Sequence, residues 1–252
     1  MGIFDIFGNS ETSYFPGCYT SSFLADKVEN YRKILKKLNI DFSMSKDILC
    51  CGGVLDEAGY EKELRKLARE NSENFEKKKT KKILVNCPLC LNTLANYKNL
   101  LPSWNIESEF VVLTIFNKLL ENPKLIHSYI YEPIAYYDSC YLARYAQFTE
   151  SPRELIKMLG YRLIELPKHS EETICCGSCG GLSITNSELA DNICKDFIKI
   201  LKRKKIKRIV TADPRAYHHL RQNLRAMEIY DDQIEVLEIS DLICDSVGVK
   251  RE

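Results

Sequence analysis

Lys82–Cys90 reads KILVNCPLC, and one repeat length later (207 − 82 = 125) Lys207–Arg215 reads KRIVTADPR. Each opens with a short apolar, β-branched run of the kind that forms a buried strand. The first strand runs into a Cys-Pro-Leu-Cys turn; the second runs into Ala-Asp-Pro-Arg. Working outward, both strands follow a lysine-rich run, KKKTKK at Lys77–Lys82 and KRKKIKR at Lys202–Arg208. Further upstream stand two adjacent cysteine pairs, Cys50-Cys51 and Cys175-Cys176 (175 − 50 = 125), and two single cysteines, Cys18 and Cys140 (140 − 18 = 122). A near-constant offset across four landmarks identifies two copies of one unit. Pro123 and Pro133 bracket the connecting stretch near Asn122–Tyr131, which predicts lobes of residues 1–125 and 126–252.

The segments between the landmarks alternate strand and helix patterns, which predicts an α/β fold with a parallel sheet flanked by helices in each lobe. Val28, Tyr31, Ile34, Leu35 and Leu38 recur at helical spacing over Ala25–Leu38. Glu57–Lys79 is a long polar helix with Leu64, Leu67, Ala68 and Phe75 on one side. Strands are expected at Lys82–Asn86, Phe110–Leu113, Ile134–Tyr137, Leu163–Leu166, Arg208–Val210 and Ile234–Leu237. Further helices are expected at Pro152–Leu159, Ser187–Arg203 and Asp241–Val247. The lysine-rich runs read as helix ends, where cations complement the negative end of the helix dipole.

Composition narrows the function. The chain has 252 residues, 45 % hydrophobic and 28 % charged, the balance of an ordinary globular protein of one large domain or two lobes. Thirty-six basic against 35 acidic side chains leave a net charge of +1, which excludes the electrostatic footprint of a nucleic-acid binder. No apolar stretch approaches the roughly 20 residues of a membrane span. The opening MGIFDIFGNS lacks the pattern of a secretory signal, and its apolar Ile3, Phe4, Ile6 and Phe7 are expected to pack locally. The expected location is the cytoplasm, with any membrane association made through a complex.

Eleven cysteines, an odd number, argue against a closed disulfide framework. Clustered thiols in a reducing compartment ligate metal or carry redox chemistry. Cys194 and Cys244 stand alone in apolar helical patterns and are expected in the core. The other nine fall in tight groups. The first half offers Cys18, Cys50, Cys51, Cys87 and Cys90, soft ligands suited to iron–sulfur clusters, zinc or copper(I). Neighbouring side chains of an extended stretch point apart, so one tetrahedral zinc rarely uses both members of a Cys-Cys pair, whereas a polynuclear cluster can. Five thiols also exceed the four of a cubane or a structural zinc.

The second half offers Cys140, Cys175, Cys176 and Cys179, while both CPxC cysteines are replaced. Four thiols suit a cubane 4Fe–4S, a 2Fe–2S centre or zinc. Asp213, His218 and His219 follow the lost ligands, but surface or capping roles are expected for them, Asp213 as the N-cap before Pro214.

Cys18…Cys50-Cys51-Gly52-Gly53…Cys87-Pro88-Leu89-Cys90 resembles the cysteine-rich CCG domain, found in heterodisulfide reductase and in the iron–sulfur proteins of lactate and glycolate oxidation systems. The resemblance covers nearly the whole chain, because those proteins also carry the unit twice. It implies Rossmann-like lobes with ligands on loops at strand ends, and a noncubane 4Fe–4S cluster on the five first-half thiols for thiol/disulfide chemistry. It implies a second iron–sulfur cluster or zinc on the C-terminal thiols, where the departure from the motif is largest. Gly52, Gly53, Gly180 and Gly181 would let backbone N–H groups approach sulfur closely. Arg144, Arg215 and Lys168 are candidate contacts for an anionic thiol. No GxGxxG fingerprint or ferredoxin-type cysteine run is present, so electrons are expected from a cubane-carrying iron–sulfur or flavoprotein subunit. The competing expectations are an electron-transfer component of a lactate, glycolate or succinate dehydrogenase-type complex, and a zinc-stabilised interaction protein.

Overall fold

The computed structural model describes residues 10–44 and 50–252. The expected local packing of Ile3, Phe4, Ile6 and Phe7 lies outside the described residues.

The first lobe runs β1 (Thr12–Phe15), α1 (Gly17–Phe23), α2 (Ala25–Lys37), β2 (Ser43–Met44), α3 (Gly53–Glu57), α4 (Glu61–Lys77), β3 (Lys82–Val85), α5 (Pro88–Leu100), β4 (Glu107–Phe110) and α6 (Val111–Glu121). The second runs β5 (Pro133–Tyr137), α7 (Glu150–Met158), β6 (Arg162–Glu165), α8 (Leu182–Thr185), α9 (Ser187–Arg203), β7 (Arg208–Thr211), α10 (Pro214–Ala226), β8 (Glu235–Glu238) and α11 (Ile239–Val247). Each lobe holds a four-stranded parallel sheet, ordered β2-β1-β3-β4 and β6-β5-β7-β8. The repeat therefore extends from sequence to topology. In both sheets the strand order reverses beside the first strand, which opens a crevice at the carboxyl ends of the first and third strands.

The basic runs behave as expected. α4 ends at Lys77 and α9 at Arg203, and each is followed two residues on by a lysine with positive φ, Lys79 at 55° and Lys205 at 54°. Cys194 and Cys244 are fully buried in the core. One expectation is corrected: Phe110–Leu113 is not a strand. β4 ends at Phe110, and Val111–Leu113 open α6. A short apolar run cannot by itself be told from the start of a buried helix, and here Val111, Val112, Ile115, Phe116 and Leu119 form the buried face of that helix.

The lobes meet through a continuous core. One apolar cluster contains Tyr14, Ile83 and Leu94 from the first lobe with Tyr136, Leu142 and Ile243 from the second. α2 packs on α11, α1 on α10, and α5 on a π-helical turn at Tyr141–Tyr145. The α2–α11 seam is polar and buried. Lys27 Nζ and Asn30 Nδ2 donate to Asp241 Oδ1 at 2.7 and 3.1 Å, and Tyr31 Oη donates to Glu238 Oε1 at 2.7 Å. Such a network is expensive half-made and orients the two surfaces when complete.

Burial pushes the Glu238 carboxyl up to about 7, with added repulsion from Asp241 and despite donation from Ser240. Between the ordinary carboxylate value and about 7, the folded protein holds a proton here that the unfolded chain has released. The stabilisation from the neutral carboxyl is therefore complete below about pH 4.5 and lost progressively as pH climbs to about 7, up to ~3 kcal/mol in all. Glu238→Gln is expected to flatten the fall in stability between pH 5 and 7, measured by urea unfolding. An unaltered slope in the variant would remove Glu238 as its cause.

Candidate metal centre

Each N-terminal thiol follows a strand end or opens a helix. Gly17 leaves β1 with φ 78° and places Cys18 in the first turn of α1. Any Cβ at Gly17 would lie 2.9 Å from Cys90 Sγ, so only glycine fits between the two thiols. Cys87 occupies the N-cap position of α5 after β3, with Pro88 at the first helical position, which leaves Cys90 inside the first turn. Cys50 and Cys51 precede α3, whose N-cap Gly52 has φ 80°. The β1 and β3 ends flank the crevice where the strand order reverses, so the topology itself brings Cys18 toward Cys87.

The five sulfurs form a row. Cys18 Sγ and Cys50 Sγ are 3.1 Å apart, all five residues line one cavity, and their protonation is linked from Cys50 to Cys51, Cys51 to Cys90 and Cys90 to Cys87. Cys18 is exposed, Cys50 is half-buried and the other three are buried. Protons are unevenly shared along the row. The Cys50 thiol is held well below its usual range by donation from Cys18, then from Cys51 and the Gly52 N–H, with help from the Arg215 charge. Cys87 is lowered by donation from Cys90. Cys18, Cys51 and Cys90 are pushed up, each first by the hydrogen bond it gives to a neighbouring sulfur. The backbone N–H groups of Gly52 and Gly53 donate to Cys50 Sγ and Cys51 Sγ, each at 3.4 Å. Such a donor set suits a soft metal: five thiols around one cavity, partly anionic, with backbone donors and no space for a Cβ.

Two side chains that sequence reasoning missed fix the Cys-Cys backbone. Asn71 Nδ2 donates to Cys50 O at 3.0 Å and to Tyr97 Oη at 2.9 Å, and Tyr97 Oη donates to Cys51 O at 2.8 Å. Asn71 lies on the polar-looking α4 and Tyr97 on α5, and nothing in their local patterns marks them. Gly17 had a legible signal, as the residue between Pro16 and Cys18 in a Pro-Gly turn.

The C-terminal thiols are arranged differently. Sulfurs of Cys140, Cys175 and Cys179 all lie within 4.8 Å of one another, and Cys140 Sγ is 3.0 Å from Cys179 Sγ. Donation from Cys140 and Cys179 holds Cys175 down at about 2, while Cys140 is pushed up to about 12. Gly177 N donates to Cys175 Sγ at 3.3 Å, the counterpart of the Gly52 contact. Cys176 is not in this group. Its thiol is fully buried, 3.4 Å from Ser178 Oγ, and burial pushes it up to about 11. Gly180 and Gly181 both have φ 65°, and the Gly180 N–H donates to Tyr141 Oη at 3.0 Å.

Where the second CPxC should be, Asp213 caps α10 as the sequence predicts, accepting from the N–H groups of Arg215 and Ala216 at 2.9 and 3.4 Å. It also accepts from Ser139 Oγ at 2.5 Å. His218 Nδ1 meets Tyr19 Oη of the first lobe at 2.9 Å, and His219 Nε2 lies 3.3 Å from Ala190 O. Arg144 donates to Thr173 O at 2.8 Å, holding the loop before Cys175, and Lys168 makes an exposed pair with Glu172. Of the three candidate cations, only Arg215 lines the N-terminal cavity, with Gly17, Cys18, Cys50, Cys87 and Cys90.

A sequence model of the cysteine-rich domain family called CCG matches residues 12–95 and 134–221, one match in each lobe. An uncharacterized iron–sulfur protein of Methanocaldococcus jannaschii is 26 % identical over 92 % of this chain and 46 % of its own. One of the subunits of the dihydromethanophenazine:CoB–CoM heterodisulfide reductase of Methanosarcina barkeri is 27 % identical over 94 % of this chain and 59 % of its own. A probable glycolate oxidase iron–sulfur subunit of Bacillus subtilis is 23 % identical over 94 % of this chain and 55 % of its own. The chain thus spans about half the length of these relatives.

Proposed function

The chain belongs to the cysteine-rich CCG domain family, and on that premise we propose that it is an iron–sulfur redox subunit acting on a thiol or disulfide. In this reading Cys18, Cys50, Cys51, Cys87 and Cys90 hold a noncubane 4Fe–4S cluster. The observation that supports it most is the row of five thiols lining one cavity at the crevice where the first sheet reverses its strand order. A cluster bound there supplies single electrons toward a sulfur–sulfur bond, whose reductive cleavage takes two.

The protein's own part follows from the geometry. Cys18 is the exposed end of the row, and a substrate sulfur reaches the site from that side. Cys51, Cys87 and Cys90 form its buried end and keep water out. The Gly52 and Gly53 N–H groups stabilise negative charge on the Cys50 and Cys51 sulfurs. Asn71 and Tyr97 keep those two residues in place. The C-terminal trio of Cys140, Cys175 and Cys179 holds a second iron–sulfur cluster or a zinc ion that relays electrons or supports the lobe, while Cys176, the fourth thiol expected from the sequence, lies outside it.

Relatives of this chain are named as subunits of redox systems, and the partner proposed here is a cubane-carrying or flavin-carrying electron-transfer protein. No described helix is long and apolar enough to cross a membrane. A second reading, transfer of electrons from a 2-hydroxy acid, is favoured by the glycolate oxidase relative.

Iron, acid-labile sulfide and zinc analysis of anaerobically purified protein tests the proposal. About four irons for the N-terminal site, with an EPR signal after oxidation that depends on added thiol, are expected. Zinc without iron would overturn it. Turnover of a small disulfide with an artificial one-electron donor then separates the first reading from the second.

A further inference from the structure

We propose that Arg215 is the fixed counter-charge and hydrogen-bond donor of the N-terminal metal–thiolate centre, supplied across the interface by the lobe that lacks the CPxC thiols. The inference rests on reading the five thiols as a metal centre and adds a residue that the motif does not contain.

Arg215 stands one repeat length after Cys90 (215 − 90 = 125). Its side chain enters the other lobe's cavity, which it lines with Cys18, Cys50, Cys87 and Cys90. The guanidinium lies over the Tyr19 ring, 5.2 Å from its centroid. Its strongest favourable electrostatic neighbours are Cys87, Asp213 and Cys179, so it feels the charge of thiols in both lobes.

The residue is only 6 % exposed, yet Nε has no hydrogen-bond partner. Among the described residues Nη1 and Nη2 make no protein hydrogen bond either, and of the three nitrogens only Nε is wholly sealed from solvent. Asp213 does not supply one, because its oxygens are taken by the α10 N–H groups and by Ser139. A guanidinium carries five donors, and burying it without acceptors is costly. Apart from Asp213, the anionic groups around it are the thiols of the cavity it lines and, on its outer side, the Glu57 carboxylate. A centre held by five thiolates is anionic and gains one further negative charge with each electron it accepts. A permanent cation in a site shielded from water favours that reduced form. The lobe that lost its terminal ligands has thus kept a part in the chemistry of the other.

The test uses Arg215→Gln and Arg215→Lys in the full chain, purified anaerobically, with iron content measured before an EPR-monitored redox titration. Arg215→Gln is expected to retain iron and to shift its midpoint to more negative potential. The expected size is at least a ~tenfold fall in the reduced-to-oxidised ratio at fixed poise. Arg215→Lys is expected to recover much of that shift; a purely stacking role on Tyr19 would change the melting temperature and leave the midpoint alone.

A second arm needs no metal. In reduced, metal-free protein, the rate of labelling at Cys18 is compared between a dianionic aromatic disulfide and a neutral maleimide. The anionic-to-neutral ratio is expected to fall by ~threefold or more in Arg215→Gln and to hold in Arg215→Lys. An unchanged midpoint in fully loaded Arg215→Gln, or an unchanged ratio, overturns the inference. Absence of iron from the unaltered protein sinks the functional reading, and the labelling ratio then decides by itself whether the charge serves the thiol pocket. If both variants lose iron, that ratio is again decisive.

Discussion

Asp138→Ala is expected to destabilise the protein by about 3–5 kcal/mol, because it strips a buried arginine of its principal counter-ion. Arg153 is 3 % exposed and Asp138 1 %. Arg153 Nη1 and Nη2 donate to the two Asp138 oxygens at 2.8 and 2.6 Å, a bidentate pair. Nε and Nη2 also reach the half-exposed Glu165 at 2.9 and 3.0 Å, and Nη1 donates to Thr149 O at 2.6 Å. Asp138 further accepts from the Ser170 N–H at 2.8 Å, and Thr173 Oγ1 donates to its backbone carbonyl at 2.8 Å. Removing the carboxylate leaves a desolvated guanidinium with only the outer Glu165 and the Thr149 carbonyl as partners, and orphans the Ser170 N–H. Asp138→Asn, which keeps an acceptor of the same shape, is expected to cost less. A paired replacement of Asp138 and Arg153 by Leu and Met is expected to recover much of the loss, since a buried ion pair is often no better than apolar packing. Urea unfolding at neutral pH measures all three, and a loss below about 1 kcal/mol for Asp138→Ala would show that Glu165 alone suffices. The position of the pair adds a second readout. Asp138 lies two residues before Cys140, and Thr173 two before Cys175, so the same bonds hold together the two loops that carry the C-terminal trio. Metal bound there is expected to fall before metal bound to the N-terminal thiols.

That arrangement illustrates what the sequence carries and what it does not. Strands such as Lys82–Val85 and helices such as Ser187–Arg203 were legible because a short β-branched run and a 3.6-residue period are local signals. The repeat was legible because cysteines are rare and their offset is nearly constant. From these follow the two parallel sheets, and from the sheets the crevice beside which Cys18 and Cys87 emerge. The Asp213 cap was legible because Asp-Pro at a helix start has one common geometry. Phe110–Leu113 failed because four apolar residues fit a strand and a helix start equally well. Arg153 could not be assigned to Asp138, nor Arg215 to the other lobe's thiols, because a charged residue's partner depends on which loops the fold brings together. Cys176 shows the same limit more sharply. The pairs Cys50-Cys51 and Cys175-Cys176 are alike in sequence, but Cys51 points into a row of sulfurs and Cys176 toward Ser178 in the core.

That difference sets the largest effect expected at the site: Cys51→Ser should remove most of the iron of the N-terminal half, and Cys176→Ser should leave the metal of the C-terminal half in place. Cys51 is 2 % exposed and stands between Cys50 and Cys90 in the row. A serine hydroxyl there is a harder, more weakly binding ligand than a thiolate, and it is too buried for water to replace it. It also breaks the contact between the Cys18–Cys50 end of the row and the Cys87–Cys90 end, so the loss should exceed the share of one ligand in five. Positions that only orient ligands cost about 10–100-fold in metal affinity when altered, and a ligand in the middle of the array is expected to cost more. Cys176→Ser exchanges one small buried side chain beside Ser178 for another, outside the group formed by Cys140, Cys175 and Cys179. Its expected cost is in folding stability, as for Cys194→Ser in the core. Metal analysis of the three variants, with unfolding midpoints alongside, separates ligand loss from core loss. Should Cys51→Ser keep its iron and its thiol-dependent EPR signal, the row is a packing feature and the N-terminal assignment fails. Should Cys176→Ser lose the C-terminal metal while remaining folded, that thiol turns toward the trio on loading, and the sequence was right to count four.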